Sequence, residues 1–380
     1  MQFCRRALGL AVGLTWTLAT LAGPRAPRLP PPAPFGPQHA LLQFADELAQ
    51  QEGWNAAALR EQLSQTQRLP RVRQLILPAA PGAAKDWAAY SNRFIEPKRI
   101  AAGVAFWQEN EAALARAEAA YGVPADVLVG ILGVETYYGR LTGGFKALDA
   151  LVTLAFDFPA EHPRAVARQS FFRAELADLL RLARESGLDA SQVLGSYAGA
   201  LGWPQFMPGS WRRHAVDFDG DGRRDLINSP VDAIGSIANF LVAHGWQRGM
   251  PSDFSITLPR DRAQRERMLK PDIEPTWRTA ELVALGAKPS EAALEHTGLL
   301  AVVRLQNGRH KPDTVRLGTE NFYAVTRYNN SAYYAFAVID LGRAVRRAWV
   351  TTPARPVEAP APAASASQAA PAPAAAASAP

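Results

Sequence analysis

One carboxylate of this chain stands where a carboxylate is costly. The run Ile131-Leu132-Gly133-Val134-Glu135-Thr136-Tyr137-Tyr138-Gly139 reads as the end of an apolar helix. Leu128, Ile131, Glu135 and Tyr138 fall at spacings that share one face of it. A glutamate on an apolar face loses hydration, so its pKa rises and it keeps a proton near neutral pH. That is the requirement for a general acid. The pattern predicts a helix that opens at Pro124, a residue suited to the first helical position, and closes at Gly139. Gly130 and Gly133 inside it cost about 1 kcal/mol each relative to alanine, which implies close approach of another backbone. A glutamate buried against an arginine from elsewhere in the chain is the structural alternative.

A second constellation is the loop Gly195-Ser196-Tyr197-Ala198-Gly199-Ala200-Leu201-Gly202-Trp203-Pro204-Gln205-Phe206-Met207-Pro208. Glycines admit a ligand close to the backbone, aromatic rings stack on the apolar faces of sugars, and Ser196 and Gln205 can bond hydroxyls or an acetamido group. A Gly/Pro-rich connector whose aromatics plug the core would have the same composition. The third is Asp217-Phe218-Asp219-Gly220-Asp221-Gly222-Arg223-Arg224-Asp225. Asp217, Asp219, Asp221 and Asp225 occupy positions one, three, five and nine of an EF-hand-like loop, and the Arg223 carbonyl sits at seven. Position twelve is Asn228 rather than a bidentate glutamate, so the expectation is weak, structural Ca²⁺ with no part in the chemistry. The six histidines show no zinc-ligand spacing, and Ser196 and Ser210 lack a nucleophile-elbow setting, which disfavours a metallopeptidase and a serine hydrolase.

The elements that must position these groups fill most of 380 residues, enough for more than one lobe. Arg5 and Arg6 precede an apolar run from Ala7 to Ala22, which reads as a secretory signal peptide over residues 1–22. Export to the periplasm follows, as a soluble chain or one anchored by an uncleaved signal, and no lipid-accepting cysteine stands after the run. The only cysteine, Cys4, leaves with the signal. Residues 23–37 read as a loose Pro-rich leader and residues 38–350 as the folded region. Within that region, amphipathic helical spacing runs from Ala40 to Leu63, and Arg68 to Gly82 reads as an extended connector. Helical spacing returns from Pro97 to Ala120, ahead of the glutamate helix at 124–139. The glycine-rich loop spans 195–211 and the acidic loop 217–232. A mixed or β-containing lobe is inserted at about 254–316, and residues 351–380 form an Ala/Pro-rich tail unable to bury a core. The formal charge of +6 falls to about +4 once Arg5 and Arg6 leave with the signal, a mild excess that suits an anionic polymer, and an exported chain without a basic-aromatic motif argues against nucleic acid.

Four separated motifs carry a resemblance. Gly133-Val134-Glu135-Thr136 with Gly139, the Ser196 to Pro208 loop, Pro230-Val231-Asp232-Ala233-Ile234-Gly235-Ser236 and Arg327-Tyr328-Asn329 occur in this order. Together they resemble the lytic murein transglycosylase B family, glycoside hydrolase family 103, over roughly Phe44 to Trp349. The resemblance implies a mainly α (α+β) fold, with a lysozyme-like core and accessory lobes. It implies that Glu135 alone protonates the bond between N-acetylmuramic acid and N-acetylglucosamine, then takes the proton of the muramyl C6 hydroxyl to close a 1,6-anhydro ring. The muramyl acetamido group is the expected internal nucleophile or stabiliser. Peptidoglycan strands are the implied substrate and wall-remodelling proteins the implied partners. The resemblance further offers Ser196, Gln205, Tyr90, Tyr328, Asn329 and Tyr334 as glycan contacts, and Asp232 as closing metal ligand. Two departures matter. Phe240 stands where the family often has tyrosine, and the family's arginine pair after Phe158-Pro159 is replaced, leaving Arg164 or Arg168 to take its part. A hydrolytic muramidase on the same fold and a catalytically idle wall-binding module are the rival readings.

Overall fold

The computed structural model describes residues 29–78 and 85–352. The expected signal peptide, and the tail beyond Thr352, lie outside the described residues. The body is mainly helical, with two two-stranded ribbons and one four-stranded sheet among the described residues.

At its centre is the helix Ala125–Thr136, with Pro124 as N-cap rather than first helical residue. It stops three residues before Gly139 because Tyr137, Tyr138 and Gly139 all have positive φ, at 51°, 58° and 78°. Nor is it apolar on one face only: Val127 to Gly133 are buried without interruption. It lies against the long closing helix Ala332–Thr351. Gly130 and Gly342 explain how the two axes come so close. A Cβ on Gly130 would collide with the Val338 carbonyl oxygen, and one on Gly342 with the Asp126 carbonyl oxygen. The sequence expectation of a close backbone approach is met at Gly130, whereas a Cβ on Gly133 would meet the Tyr138 and Leu341 side chains instead.

Several expected boundaries shift. The Arg68 to Gly82 connector is not extended throughout, because Pro70 starts a helix, Pro70–Ile76, with its fixed φ. The leader is shorter than expected. Ala33–Pro34 pairs antiparallel with Gln67–Arg68, and Phe35 is buried in the main core. The Pro97 to Ala120 stretch is two helices, Pro97–Glu109 and Glu111–Tyr121, separated at Asn110. The loop-rich region contains a further short helix, Pro208–His214.

The inserted lobe is a four-stranded antiparallel sheet. Its strands lie in the order Lys288–Pro289, Asp253–Thr257, Thr314–Gly318 and Ala301–Leu305. Met268, Leu282, Leu300, Val302 and Leu317 form its own small core. It docks on the closing helix through a charged knot. Arg316 donates to Asp253 at 2.6 Å and to Asp340 at 2.8 Å while its guanidinium lies 4.0 Å from the Phe336 ring centroid. Arg343 donates to the other Asp253 oxygen at 2.6 Å.

Replacing Gly130 by valine forces the glutamate helix away from the closing helix. Chemical denaturation should show a loss of about 2–3 kcal/mol or more, against less than about 1 kcal/mol for alanine at the exposed Gly144.

Candidate active site

Glu135 is 7 % exposed. Burial drives its pKa up to about 7, opposed by one hydrogen bond from Tyr334. That bond, Tyr334 Oη to Glu135 Oε1 at 2.6 Å, crosses from the first turn of the closing helix to the last turn of the glutamate helix. Ser331 caps the closing helix by accepting the Tyr334 amide at 3.3 Å, which fixes where the tyrosine enters. Among the described residues no arginine pairs with Glu135, which sets the ion-pair alternative aside. Raised pKa alone does not nominate a site. Burial also takes Glu175 to about 7, yet its carboxylate is spent accepting the Gly209 amide at 2.8 Å at the start of Pro208–His214.

Tyrosines surround the acid. Tyr328 stacks on Tyr334 at 6.2 Å, and the Glu135 charge helps push both phenols upward after burial itself. Tyr90 is raised to about 12, first by burial and then by Glu135. Thus Tyr90 and, more than two hundred residues later, Tyr328 and Tyr334 converge on one carboxyl. Asn329 is buried, and its amide makes no hydrogen bond within the described residues. Phe240, in place of the family's tyrosine, packs edge-on to Tyr328 at 5.0 Å and stacks on His244 at 4.0 Å.

The glycine-rich loop is held by its own polar groups. Ser196 Oγ accepts the amides of Ala198 and Ala200 at 3.3 and 3.1 Å. Gln205 has φ 48° and donates its amide to the carbonyls of Thr142 and Gly202, both at 2.9 Å. The Tyr328 hydroxyl donates to the Pro204 carbonyl at 2.5 Å. These three expected glycan contacts therefore also build the loop. The loop in turn is tied to the glutamate helix, since Thr136 Oγ1 donates to the Trp203 carbonyl at 3.0 Å and the Trp203 ring lies over Gly139, leaving no room for a Cβ there.

Arg99 is a supporting residue that no sequence motif marks. Its Nη1 donates to the Gly133 carbonyl at 2.6 Å, and its guanidinium sits 4.5 Å from the Tyr137 ring centroid. A cation at a helix C-terminus satisfies an orphan carbonyl and opposes the negative end of the helix dipole. Of the two arginines left by the missing pair, Arg164 is exposed, whereas Arg168 is buried with its guanidinium 5.2 Å from the Phe172 ring centroid.

Away from Glu135, Asp217, Asp219 and Asp221 are exposed and each offers a carboxylate oxygen within 4.8 Å of the others. Asp225 and Asp232 do not join them. Asp225 accepts the Ile227 and Asn228 amides, both at 2.9 Å. Asp232 is fully buried and accepts the amides of Phe218, Asp219 and Asp225 at 2.7, 3.2 and 2.8 Å. Its role is to fold the loop onto the helix Pro230–Ala243, whose Ser229 cap accepts the Asp232 amide.

The family profile for the transglycosylase SLT domain matches residues 37–343. The chain is 39% identical over 316 residues to the membrane-bound lytic murein transglycosylase B of Escherichia coli strain K12, covering 81% of this chain and 83% of that one. The crystal structure of the soluble lytic transglycosylase SltB1 of Pseudomonas aeruginosa has a TM-score of 0.72 at 39% identity, over 81% of this chain and 99% of that chain. That of the Escherichia coli lytic transglycosylase Slt35 in complex with calcium has a TM-score of 0.70 at 37% identity, over 83% of this chain and 99% of that one. The fold is the lysozyme-like one of these enzymes, no cofactor is needed for the chemistry, and the chain belongs to the SLT-domain family of peptidoglycan lytic transglycosylases.

Proposed function

We propose that Glu135 is the single acid and base of glycan cleavage. A carboxyl with a pKa of about 7 populates its protonated form near neutral pH, as proton delivery to the glycosidic oxygen between N-acetylmuramic acid and N-acetylglucosamine requires. After delivery the carboxylate is left in an apolar site, where the Tyr334 hydroxyl stabilises it. The same carboxylate then accepts the proton of the muramyl C6 hydroxyl as that oxygen closes on C1, so the acid is regenerated and no water is consumed. The observation that carries this reading is the buried Glu135–Tyr334 bond within a ring of tyrosines and no second carboxylate among the causes of its shift. Tyr90, Tyr328, Asn329, Ser196 and Gln205 would bind and orient the sugars, with Tyr328 and Gln205 acting partly through the loop they brace.

A structural calcium ion at Asp217, Asp219 and Asp221, with the Arg223 carbonyl, is the second part of the proposal. Three hard oxygen donors that close together fit such an ion, and it supplies charge neutralisation to the loop rather than a reaction step. Asp225 and Asp232 are assigned to shaping that loop. Export to the periplasm is proposed from the apolar N-terminal run, which lies outside the described residues. Among the described residues no single helix is long and apolar enough to cross a membrane.

Mass spectrometry of muropeptides released from purified peptidoglycan should find 1,6-anhydro ends with the native protein. Glu135→Gln should lower the yield by about 10²-fold or more. Reducing ends instead of anhydro ends would replace this reading with hydrolysis.

Tyr334→Phe removes the bond that lowers the Glu135 pKa, so the pKa rises further. The alkaline limb of the rate profile should move to higher pH while the maximal rate falls about tenfold.

Linkage gives a stability counterpart. The folded pKa of about 7 lies above the ordinary 4.5, so the native state holds a proton that the unfolded chain has lost between those values. The associated stability is complete below pH 4.5 and disappears as pH rises through 7. Denaturant titrations should find Glu135→Gln more stable than the native protein at pH 8, by up to about 3 kcal/mol, with the gap closing towards pH 5.

Calcium at millimolar concentration should raise the melting temperature by a few degrees, and Asp217→Asn with Asp221→Asn should abolish that rise without changing the reaction product.

A further inference from the structure

The inserted lobe carries a basic face with no internal use. Arg262, Arg265 and Lys270 are exposed on or at the end of the helix Arg262–Leu269, and Arg309 and Lys311 are exposed at the tip of the hairpin between Ala301–Leu305 and Thr314–Gly318. None of the five makes an ion pair within the described residues. Arg304 brings the helix and the hairpin tip together, since it lies 3.6 Å from Glu266 and 3.9 Å from Asp313. Those two carboxylates are therefore already engaged, and Arg262 and Lys270, one turn to either side of Glu266, share its face.

The hairpin of this face is tied to the segment that carries Tyr90. At the base of the hairpin, Gln306 accepts the Trp87 amide at 2.7 Å, Asn307 accepts the Ala88 amide at 3.2 Å, and Gly308 donates to the Lys85 carbonyl at 2.9 Å. The segment so held is the short helix Trp87–Ser91 that carries Tyr90 towards Glu135. The hairpin that carries Arg309 and Lys311 is thus anchored to the element that brings Tyr90 to Glu135.

We propose that this face docks the stem-peptide carboxylates of peptidoglycan outside the bond being cut, a step that rests on the assigned activity. Three of the five cations are arginines, whose planar forks match carboxylates two bonds at a time. The alternative anionic surface, a phospholipid bilayer, fits less well. A helix that lies in a membrane interface presents large apolar side chains, whereas the two bulky apolar residues of this helix turn into the lobe, Met268 fully buried and Leu269 partly buried against the same small core, and none of the exposed large hydrophobic residues belongs to this helix or to the hairpin tip. Discrete carboxylates on a flexible peptide need charge and no insertion.

The test is co-sedimentation with insoluble sacculi at low and moderate salt, in a Glu135→Gln background that leaves the wall intact. Arg262→Glu with Arg265→Glu, and separately Arg309→Glu with Lys311→Glu, should each weaken binding about tenfold at low salt and flatten its salt dependence. Binding to glycan strands stripped of peptide should not change, nor should turnover of those strands by the same variants carrying Glu135. Sacculus binding within about twofold of the parent for both variants would overturn the proposal. So would an equal loss on peptide-free glycan, or a loss confined to vesicles of phosphatidylglycerol and phosphatidylethanolamine. Absence of turnover by the native protein would count against the catalytic assignment instead, while the sedimentation result would still report on the face. Unchanged melting temperatures for both variants confirm that these surface reversals leave the fold intact.

Discussion

A carboxyl group held out of water by two close-packed helices, with one phenol to steady its charged form, is the constraint on which this molecule is built. Burial makes Glu135 an acid at neutral pH, and the same burial destabilises the folded chain whenever the group ionises. The fold accommodates that conflict with rigidity. Gly130 and Gly342 let the helices meet backbone to backbone, Ser331 sets the start of the closing helix, and Tyr334 arrives at 2.6 Å from Glu135. A looser contact would admit water, lower the pKa and remove the acid.

The strain stored beside the acid has a matching support. Two consecutive tyrosines with positive φ end the glutamate helix, a conformation costly for side chains of that size. Arg99 holds one side of this turn through the Gly133 carbonyl and the Tyr137 ring. Thr136 and Trp203 hold the other by joining it to the glycine-rich loop. The loop is braced in turn by Ser196, Gln205 and Tyr328. Residues that read in the sequence as ligands thus form the frame of the loop beside Glu135, which is how preorganisation is built into a site with few charged groups.

Carboxylates elsewhere are used in the opposite way. Asp217, Asp219 and Asp221 stay exposed and close together, where their mutual repulsion is relieved by water or by a cation. Asp232, a few residues on, is buried and kept by three backbone amides. In the inserted lobe, Asp253 and Asp340 share Arg316, fastening the sheet to the same closing helix that carries Tyr334. One helix therefore meets Glu135 through Tyr334 and the accessory lobe through Asp340.

The buried glutamate, the glycine requirement of its helix, the three-aspartate core of the acidic loop and the mixed lobe were all legible in the sequence, because each depends on local spacing or on a side chain whose cost shows through its neighbours. Glu135 stands out among apolar residues whatever lies across from it. The boundaries that shifted also had local causes in part, such as Pro70 starting a helix inside an apparent connector. What local spacing does not hold is the identity of a partner across space. That Tyr334 rather than an arginine meets Glu135, that Arg99 closes the glutamate helix, and that three backbone amides of the acidic loop meet Asp232 are decided by which surfaces pack together. The sequence by itself determined which residue would be an acid if buried. The tertiary structure alone decided how deeply it is buried and which single hydrogen bond faces it, because desolvation is a property of the packed helices and not of the residue.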